Sequence, residues 1–355
     1  MVNSISIAGR RIGPGEPTYV VAEMSANHNQ DFDQAVRILQ SAKEAGADAI
    51  KLQTYTPDTL SIDRGSKLFR VARGTLWEGK NLYQLYGEAY TPWDWQPRLK
   101  AVAEELGMPL FSTPFDDTAV DFLEGMGVPA HKIASFELVD TNLLRKVAAT
   151  GKPVILSTGM ATLDEIADAV TALREAGTKD LALLKCTSAY PARADGMNLR
   201  TIPHLAEAFG VPVGLSDHSL GIMVPVAAVA LGACLIEKHL TLSRNLGGPD
   251  VAFSLEPHEF KAMVDAVRAT GSALGKVHYG LTENEPASRA FRRSLFVVKD
   301  LEAGESFTGE NVRSIRPGHG LSPKFLPMVL GRRAGRTCRV PCRSPGISSS
   351  DSARR

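Results

Sequence analysis

Two histidines, two lysines and a glutamate each close or interrupt an apolar run, where a polar side chain needs a reason to be. His218, in LSDHS, and His239, in EKHL, end two successive runs. Neutral imidazole is the commonest side-chain ligand for Mn, Fe, Co and Zn ions. The pair could hold one ion, with Asp217 or Glu237 orienting a ring from behind, or could be two hydrogen-bonded histidines beside a loop. Lys51 and Lys132 lie inside apolar runs, where an unpaired ammonium is costly. Their partner could be an anionic ligand shared with the hydroxyls of Ser135, Ser157 and Ser216, or Glu23 and Glu137 in a structural ion-pair network. A Schiff-base lysine is a further option, which the two histidines at metal-site positions make less attractive. Glu23 could polarise water or a hydroxyl, or bridge to a lysine.

Other candidates surround these. Asn27 and His28 follow Glu23 in AEMSANHNQ and could be loop scaffolding or substrate contacts. Tyr190, in TSAYP, could stack on a sugar or pack before Pro191. Trp77, Trp93 and Trp95 could form a sugar platform or fill the core. Arg316, in RPGHG, sits on a loop whose glycines let backbone approach a ligand, or is a solvated arginine.

The elements that must position these residues repeat one pattern, a short apolar run ending in polar residues and then a longer amphipathic stretch. Eight runs fit: Thr18–Glu23, Asp48–Gln53, Met108–Thr113, Ala130–Ser135, Pro153–Thr158, Leu181–Thr187, Pro212–Asp217 and Cys234–His239. Between them Asp31–Gly46 and Leu163–Gly177 have helical spacing with a glycine stop, and Thr91-Pro92 reads as N-cap and first helical residue. Eight strands alternating with helices predict a closed parallel barrel. The polar strand ends, among them Gln53, Ser112, Thr113, Thr187, Ser188 and Lys238, then meet at one face. An open doubly wound sheet fits less well, because no Gly-rich phosphate loop follows the first strand.

The chain has 355 residues, 44% hydrophobic and 22% charged, which suits one barrel of about 250 residues plus a small domain. The formal charge is +1, but seven of the 40 basic residues and one of the 39 acidic ones lie from Arg332 onward, leaving 33 against 38 in the body. Nothing here points to nucleic acid. No apolar run approaches the roughly 18 residues that span a bilayer, and MVNSISIAGRRIG lacks the apolar core of a signal peptide. Cys186 and Cys234 lie in strand-like runs as reduced core residues, and Cys338 and Cys342 in the tail, so the expectation is a cytoplasmic protein without structural disulfides. The barrel domain is expected over 1–277, a linker over 278–290, and a small β-rich domain over 291–335, starting with SLFVVK. From 336 the text RTCRVPCRSPGISSSDSARR is Arg/Ser/Pro-rich, and an irregular tail that supports no core is expected.

Taken together, AEMSANHNQ, IKLQTYTPDT, FSTPFD, HKIASFE, ILSTGM, LKCTSAYP, GLSDHS, ALGACLIEKHLT, FSLEP and IRPGHG resemble the sialic acid synthases, which make N-acetylneuraminate, legionaminate and pseudaminate. The resemblance covers roughly residues 1–335. AEMSANHNQ, QTYTPDTLSID and GTLWEGKNLYQLYGEAYTPWDW look like the pseudaminic acid synthase branch. That implies a (β/α)8 TIM barrel followed by an antifreeze-like (SAF) domain. It also implies a metal-dependent condensation of phosphoenolpyruvate with an amino sugar, here 2,4-diacetamido-2,4,6-trideoxy-altrose. His218 and His239 would hold the divalent ion, Mn²⁺ first and Mg²⁺ or Co²⁺ as alternatives. Glu23 would orient or deprotonate the attacking water. Lys51, Thr113 or Ser112, Lys132, Ser135, Ser157, Ser188 and Ser216 would bind phosphoenolpyruvate, Ser188 standing where neuraminate synthases carry Asn. Gln53 and Tyr190 would contact the sugar. The SAF domain would cross to the partner of a domain-swapped homodimer and lid its barrel, with Arg316 reaching the sugar there. The tail departs from the family's pattern, which implies a lid domain lacking its last strand. A barrel isomerase or aldolase working without phosphoenolpyruvate, and a non-catalytic sugar- or ice-binding protein, are the competing functions.

Overall fold

The computed structural model describes residues 3–71, 74–340, 342 and 343, divided into two compact units, 1–275 and 276–355. All eight expected runs of the first unit form strands: β3 (Tyr19–Glu23), β4 (Ala49–Thr54), β5 (Leu110–Pro114), β6 (His131–Ile133), β7 (Val154–Ser157), β8 (Leu181–Cys186), β9 (Val213–Asp217) and β10 (Leu235–His239). They pair in parallel, neighbour to neighbour, and β10 closes on β3. A preceding hairpin, β1 (Ile5–Ile7) and β2 (Arg10–Ile12), was not anticipated from the sequence.

Strand alternation explains two separate apolar cores. Val20, Ala22, Ile50, Leu52, Leu156, Leu183, Leu215 and Ile236 face outward and pack with helix residues such as Ile38, Leu39, Leu144 and Leu173. Their strand neighbours Tyr19, Val21, Phe111, Ile155, Leu184 and Leu235 face inward and form a second cluster. Ile5, Ile7 and Ile12 of the hairpin join that inner cluster, so the hairpin floors the barrel at its N-terminal end. Above this floor the inward positions turn polar, because the C-terminal end is the open one. The β9–β10 contact demands a glycine: a Cβ on Gly214 would lie 2.2 Å from the Leu235 carbonyl oxygen.

The outer layer is α1 (Phe32–Glu44), the short α2 (Pro57–Leu60), α3 (Leu82–Ala89), α4 (Trp95–Glu105), α5 (Asp117–Met126), α6 (Thr141–Ala148), α7 (Leu163–Glu175), α8 (Thr201–Phe209), α9 (Met223–Ala230) and α10 (Pro257–Leu274). Local chemistry sets their ends. Asp31 caps α1 by accepting from the Gln34 N–H at 2.9 Å, and Thr162 and Glu165 form a reciprocal capping box on α7. The expected start at Thr91-Pro92 moves one turn onward, to Trp95. The Thr91 hydroxyl is engaged by His28 Nε2 at 3.1 Å and is not free to cap. Among the described residues no helix is long and apolar enough to cross a membrane.

In the second unit, β11 (Ser294–Val297) pairs antiparallel with β12 (Val312–Ile315) on one side and with β13 (Cys342–Arg343) on the other, and α11 (Leu326–Val329) follows β12. Its core holds Leu295, Val297, Leu301, Phe307, Val312, Ala334 and Cys338. This corrects the expectation of an irregular tail from residue 336. Cys338 is buried and bridges to Leu301, and β13 supplies a last strand, because an edge strand is held by backbone hydrogen bonds that need no apolar sequence. The Arg/Ser stretch from 344 lies outside the described residues.

Candidate active site at the barrel mouth

The inward polar positions of six strands and the loops above them line one cavity of about 580 Å³. Lys51 and Gln53, Lys132, Ser157, Cys186, Ser216 and His218, and Glu237 and His239 all face it, joined by Ser135, Ser188 and Tyr190 from the loops.

Charge is arranged around Lys51. Its Nζ lies 2.7 Å from Glu23 Oε2 and 3.5 Å from Glu237 Oε1, and donates to Thr113 Oγ1 at 3.2 Å. Burial opposes its charge, but the two carboxylates together hold its pKa above the ordinary lysine value. Lys132 is less well compensated. It donates to Ser157 Oγ at 2.6 Å and to the Ile133 carbonyl at 3.0 Å, with Glu237 3.9 Å away, and burial leaves its pKa lowered. Glu237 is held below the usual carboxylate range; burial pushes it up, and Lys132, Lys51 and His218 outweigh that. Glu23 goes the other way, raised by burial that Lys51 does not fully offset. A cation with too little counter-charge, ringed by hydroxyls, is a seat for an anion.

Both readings of Glu23 bear on the structure. It is the ion-pair partner of Lys51, it accepts from Gln53 Nε2 at 3.0 Å, and it lies fully buried beneath the residues that line the cavity. Glu237, considered in the sequence only as a support for histidine, lines it between the two lysines, and Ser216 Oγ donates to it at 3.3 Å. Asp217 does not support an imidazole either. It faces outward and pairs with Lys238. Ser112 also faces outward, 2.6 Å from the Thr54 hydroxyl, so Thr113 is the member of that pair on the inner face.

His218 and His239 approach with ring centroids 5.3 Å apart. His218 Nδ1 donates to the Thr187 carbonyl at 3.1 Å, which leaves Nε2 as the available donor atom. Burial, with the nearby Lys51 and Lys238 ammonium groups adding to it, pushes the pKa of His239 well below the ordinary histidine value, and its buried Nδ1 has no hydrogen-bond partner. A neutral imidazole with an orphaned ring nitrogen fits a metal ligand. Among the described residues no group of three or more His, Cys, Asp or Glu side chains is placed to hold a metal, so an ion here would take its remaining ligands from water and substrate. Cys186 is buried and free, as expected of a reduced core cysteine, and it also touches the site. Its Sγ lies 3.9 Å from His218 Nδ1, and that contact brings the thiol to about 7 although burial pushes it up.

Ser135, Ser188 and Gly159 form a tight corner. The Gly159 N–H donates to Ser135 Oγ at 3.0 Å, and a Cβ on Gly159 would stand 2.2 Å from Ser188 Oγ and 2.7 Å from Ser135 Oγ. Aromatic rings close the side above the histidines: Tyr190 is 4.4 Å from His218 and 5.6 Å from Trp77, and Phe253 is 4.9 Å from His239. Of the three tryptophans only Trp77 lines the cavity; Trp93 packs on Phe122 and Trp95 on His28 and Phe32. His28 and Asn27 are scaffold. His28 bonds Thr91 and the Gln30 N–H, with burial lowering its pKa to about 4, and Asn27 donates to the Leu240 carbonyl and Ser254.

Sequence reasoning missed two more lining groups, Asp250 and Tyr55, and considered a third, Glu137, only as a structural partner for a lysine. Asp250 is half-buried, takes hydrogen bonds from Ser25 Oγ and the Ala26 N–H, and has its pKa raised by desolvation. Glu137 has its carboxyl pushed up by burial to about 7. Tyr55 stacks edge-on with Tyr86 and Phe115. Only Glu237 carried a usable signal, its place two residues before His239 on the inward face of β10. Arg316 lies in the second unit, exposed, with its guanidinium 5.9 Å over the Phe291 ring.

Known proteins match this arrangement. Residues 38–279 match the NeuB family and residues 292–338 the SAF domain. The chain is 46% identical to the pseudaminic acid synthase of Campylobacter jejuni strain 81-176, over 90% of this chain and 92% of that protein. It is 44% identical to the pseudaminic acid synthase of Helicobacter pylori, over 90% and 94%. Among solved structures, the N-acetylneuraminic acid synthetase of Leptospira borgpetersenii superposes with a TM-score of 0.72 at 32% identity, covering 81% of this chain and 95% of that one. With an eight-strand barrel, its polar mouth and a following SAF domain all in place, the chain belongs to the NeuB family of sialic acid synthases.

Proposed function

We propose that this enzyme is a pseudaminic acid synthase. It condenses phosphoenolpyruvate with 2,4-diacetamido-2,4,6-trideoxy-β-L-altropyranose and water, giving pseudaminic acid and phosphate by C–O cleavage. The observation that carries the reading is the joint placement, around one cavity, of an under-compensated lysine ringed by hydroxyls and two converging imidazoles. It is supported by identity of 44–46% to two proteins named for that activity.

The residues divide the work. Lys132, Lys51 and the hydroxyls of Thr113, Ser135, Ser157, Ser188 and Ser216 would hold the phosphate and carboxylate of phosphoenolpyruvate. Gln53 and Tyr190 would orient the sugar, and Glu23 aims Gln53 from below. A divalent ion on His218 and His239, Mn²⁺ foremost, would supply Lewis acidity toward the sugar's aldehyde. Glu23 would also steer the water that adds to the former enol carbon. We further read the enzyme as cytoplasmic and as a homodimer in which the SAF unit lids the partner's barrel and delivers Arg316.

Phosphate release tests the reading. It should require phosphoenolpyruvate, the divalent ion and the trideoxy-altrose acceptor together. Preference for N-acetylmannosamine or the legionaminate-pathway sugar would overturn the acceptor, and turnover of sugar alone would overturn the reaction.

A further inference from the structure

A second cavity, of about 860 Å³, lies outside the barrel, walled by the loop after β7, the end of β8, the 195–200 segment, Ile166 of α7 and the start of α8. Its chemistry is cationic. Lys185, Arg200 and His204 face it, and its single carboxylate, Asp195, is already taken by Arg193 at 2.9 and 3.2 Å. Among the described residues no carboxylate pairs with Lys185, Arg200 or His204. The half-buried Lys185 ammonium instead donates to the Cys186 carbonyl at 2.6 Å and to Thr187 Oγ1 at 3.2 Å. Met160, Ala161, Ile166 and Leu199 give the cavity an apolar side.

The same stretch of β8 is held from the opposite side. The Thr187 carbonyl accepts from His218 Nδ1 at 3.1 Å. Lys185, from outside, and His218, from inside, therefore grip two adjacent residues. An anion that drew the Lys185 ammonium away would release the Cys186 carbonyl and the Thr187 hydroxyl, and with them the carbonyl that orients His218.

We propose that this outer cavity is a second ligand site, for a small organic oxyanion with an apolar body, and that its occupancy is felt at His218 through residues 186 and 187. The site shares only Cys186 with the barrel-mouth cavity and does not depend on which sugar is used there.

Calorimetric titration of the full-length protein with inorganic pyrophosphate, and separately with citrate, tests it and separates phosphate from carboxylate ligands. The wild type should bind at least one probe. Arg200→Gln should weaken that binding about tenfold and Lys185→Met more, since each removes a charge-assisted contact. The bound probe should change kcat in the wild type without raising KM for phosphoenolpyruvate, and Arg200→Gln should keep the basal kcat while losing the response. Binding equal to wild type in Arg200→Gln, or inhibition that is purely competitive with phosphoenolpyruvate, would overturn the proposal. If Lys185→Met does not fold, His204→Gln replaces it. The affinity comparison uses no phosphoenolpyruvate, so failure of that substrate to bind would count against the function proposed above and not against this site.

Discussion

Asp217 and Lys238 pair 2.6 Å apart behind the barrel wall, fully buried, while the very next residue on each strand, His218 and His239, faces the cavity. One step along each strand separates a structural ion pair from a candidate metal site. Lys238→Met leaves Asp217 buried without its cation and should cost about 3–5 kcal/mol in urea unfolding. The folded fraction should keep its metal content and its kcat within about twofold.

His218→Ala should do the reverse. Metal content after dialysis, read by elemental analysis, should fall to background, and phosphate release by at least about a hundredfold. Retention of both would remove His218 from the metal site.

The two cavity lysines should also part company. Lys51→Met strands the buried Glu23 and takes one of two lysines from beside Glu237, and should destabilise by about 3–5 kcal/mol. Lys132→Met removes a cation that burial already disfavours but leaves Glu237 with Lys51 alone, so the stability loss should be smaller than for Lys51→Met, about 1–2 kcal/mol. Its mark should be kinetic, a rise of about ten- to a hundredfold in KM for phosphoenolpyruvate.

Gly159→Ala places a methyl into the corner between Ser135 and Ser188. The folded state should survive, by circular dichroism, while affinity for phosphoenolpyruvate drops about tenfold or more, because the added carbon occupies the space an anion's oxygen would take.

Glu137 gives a pH signature. Its pKa rises from 4.5 to about 7 on folding, through burial above all. Between those values the native state binds more protons than the unfolded one, so this group destabilises progressively as pH rises from about 4.5 through about 7. Glu137→Gln should therefore match wild-type stability near pH 4 and exceed it at pH 8, by up to about 3 kcal/mol. Equal stability at pH 8 would refute the shift.

The barrel was legible because its strands are buried on both faces and read as unbroken apolar runs ending in polar residues. The histidines and lysines were legible for the same reason: each is a polar break at a strand end. What escaped was long-range. Asp250 and Tyr55 stand on loops with no period to mark them, and only the closed barrel brings them to the mouth. The hairpin was missed because three-residue strands carry too few alternations to count. Glu237 was seen as a carboxylate beside a histidine but not as the charge between two lysines, since those lysines arrive from β4 and β6. The last strand of the second unit was misjudged because composition speaks of side chains, and an edge strand is joined through its backbone.

The hairpin has a kinetic meaning as well. Ile5, Ile7 and Ile12 stopper the N-terminal end, so the barrel is a vessel with one doorway. Whatever binds against Lys132 and Ser157, both almost wholly shut off from solvent, has to enter before the doorway is filled by a second molecule at Tyr190 and Trp77, and has to leave after it. On the function proposed above, a plugged floor would set an order of arrival and departure for the two substrates.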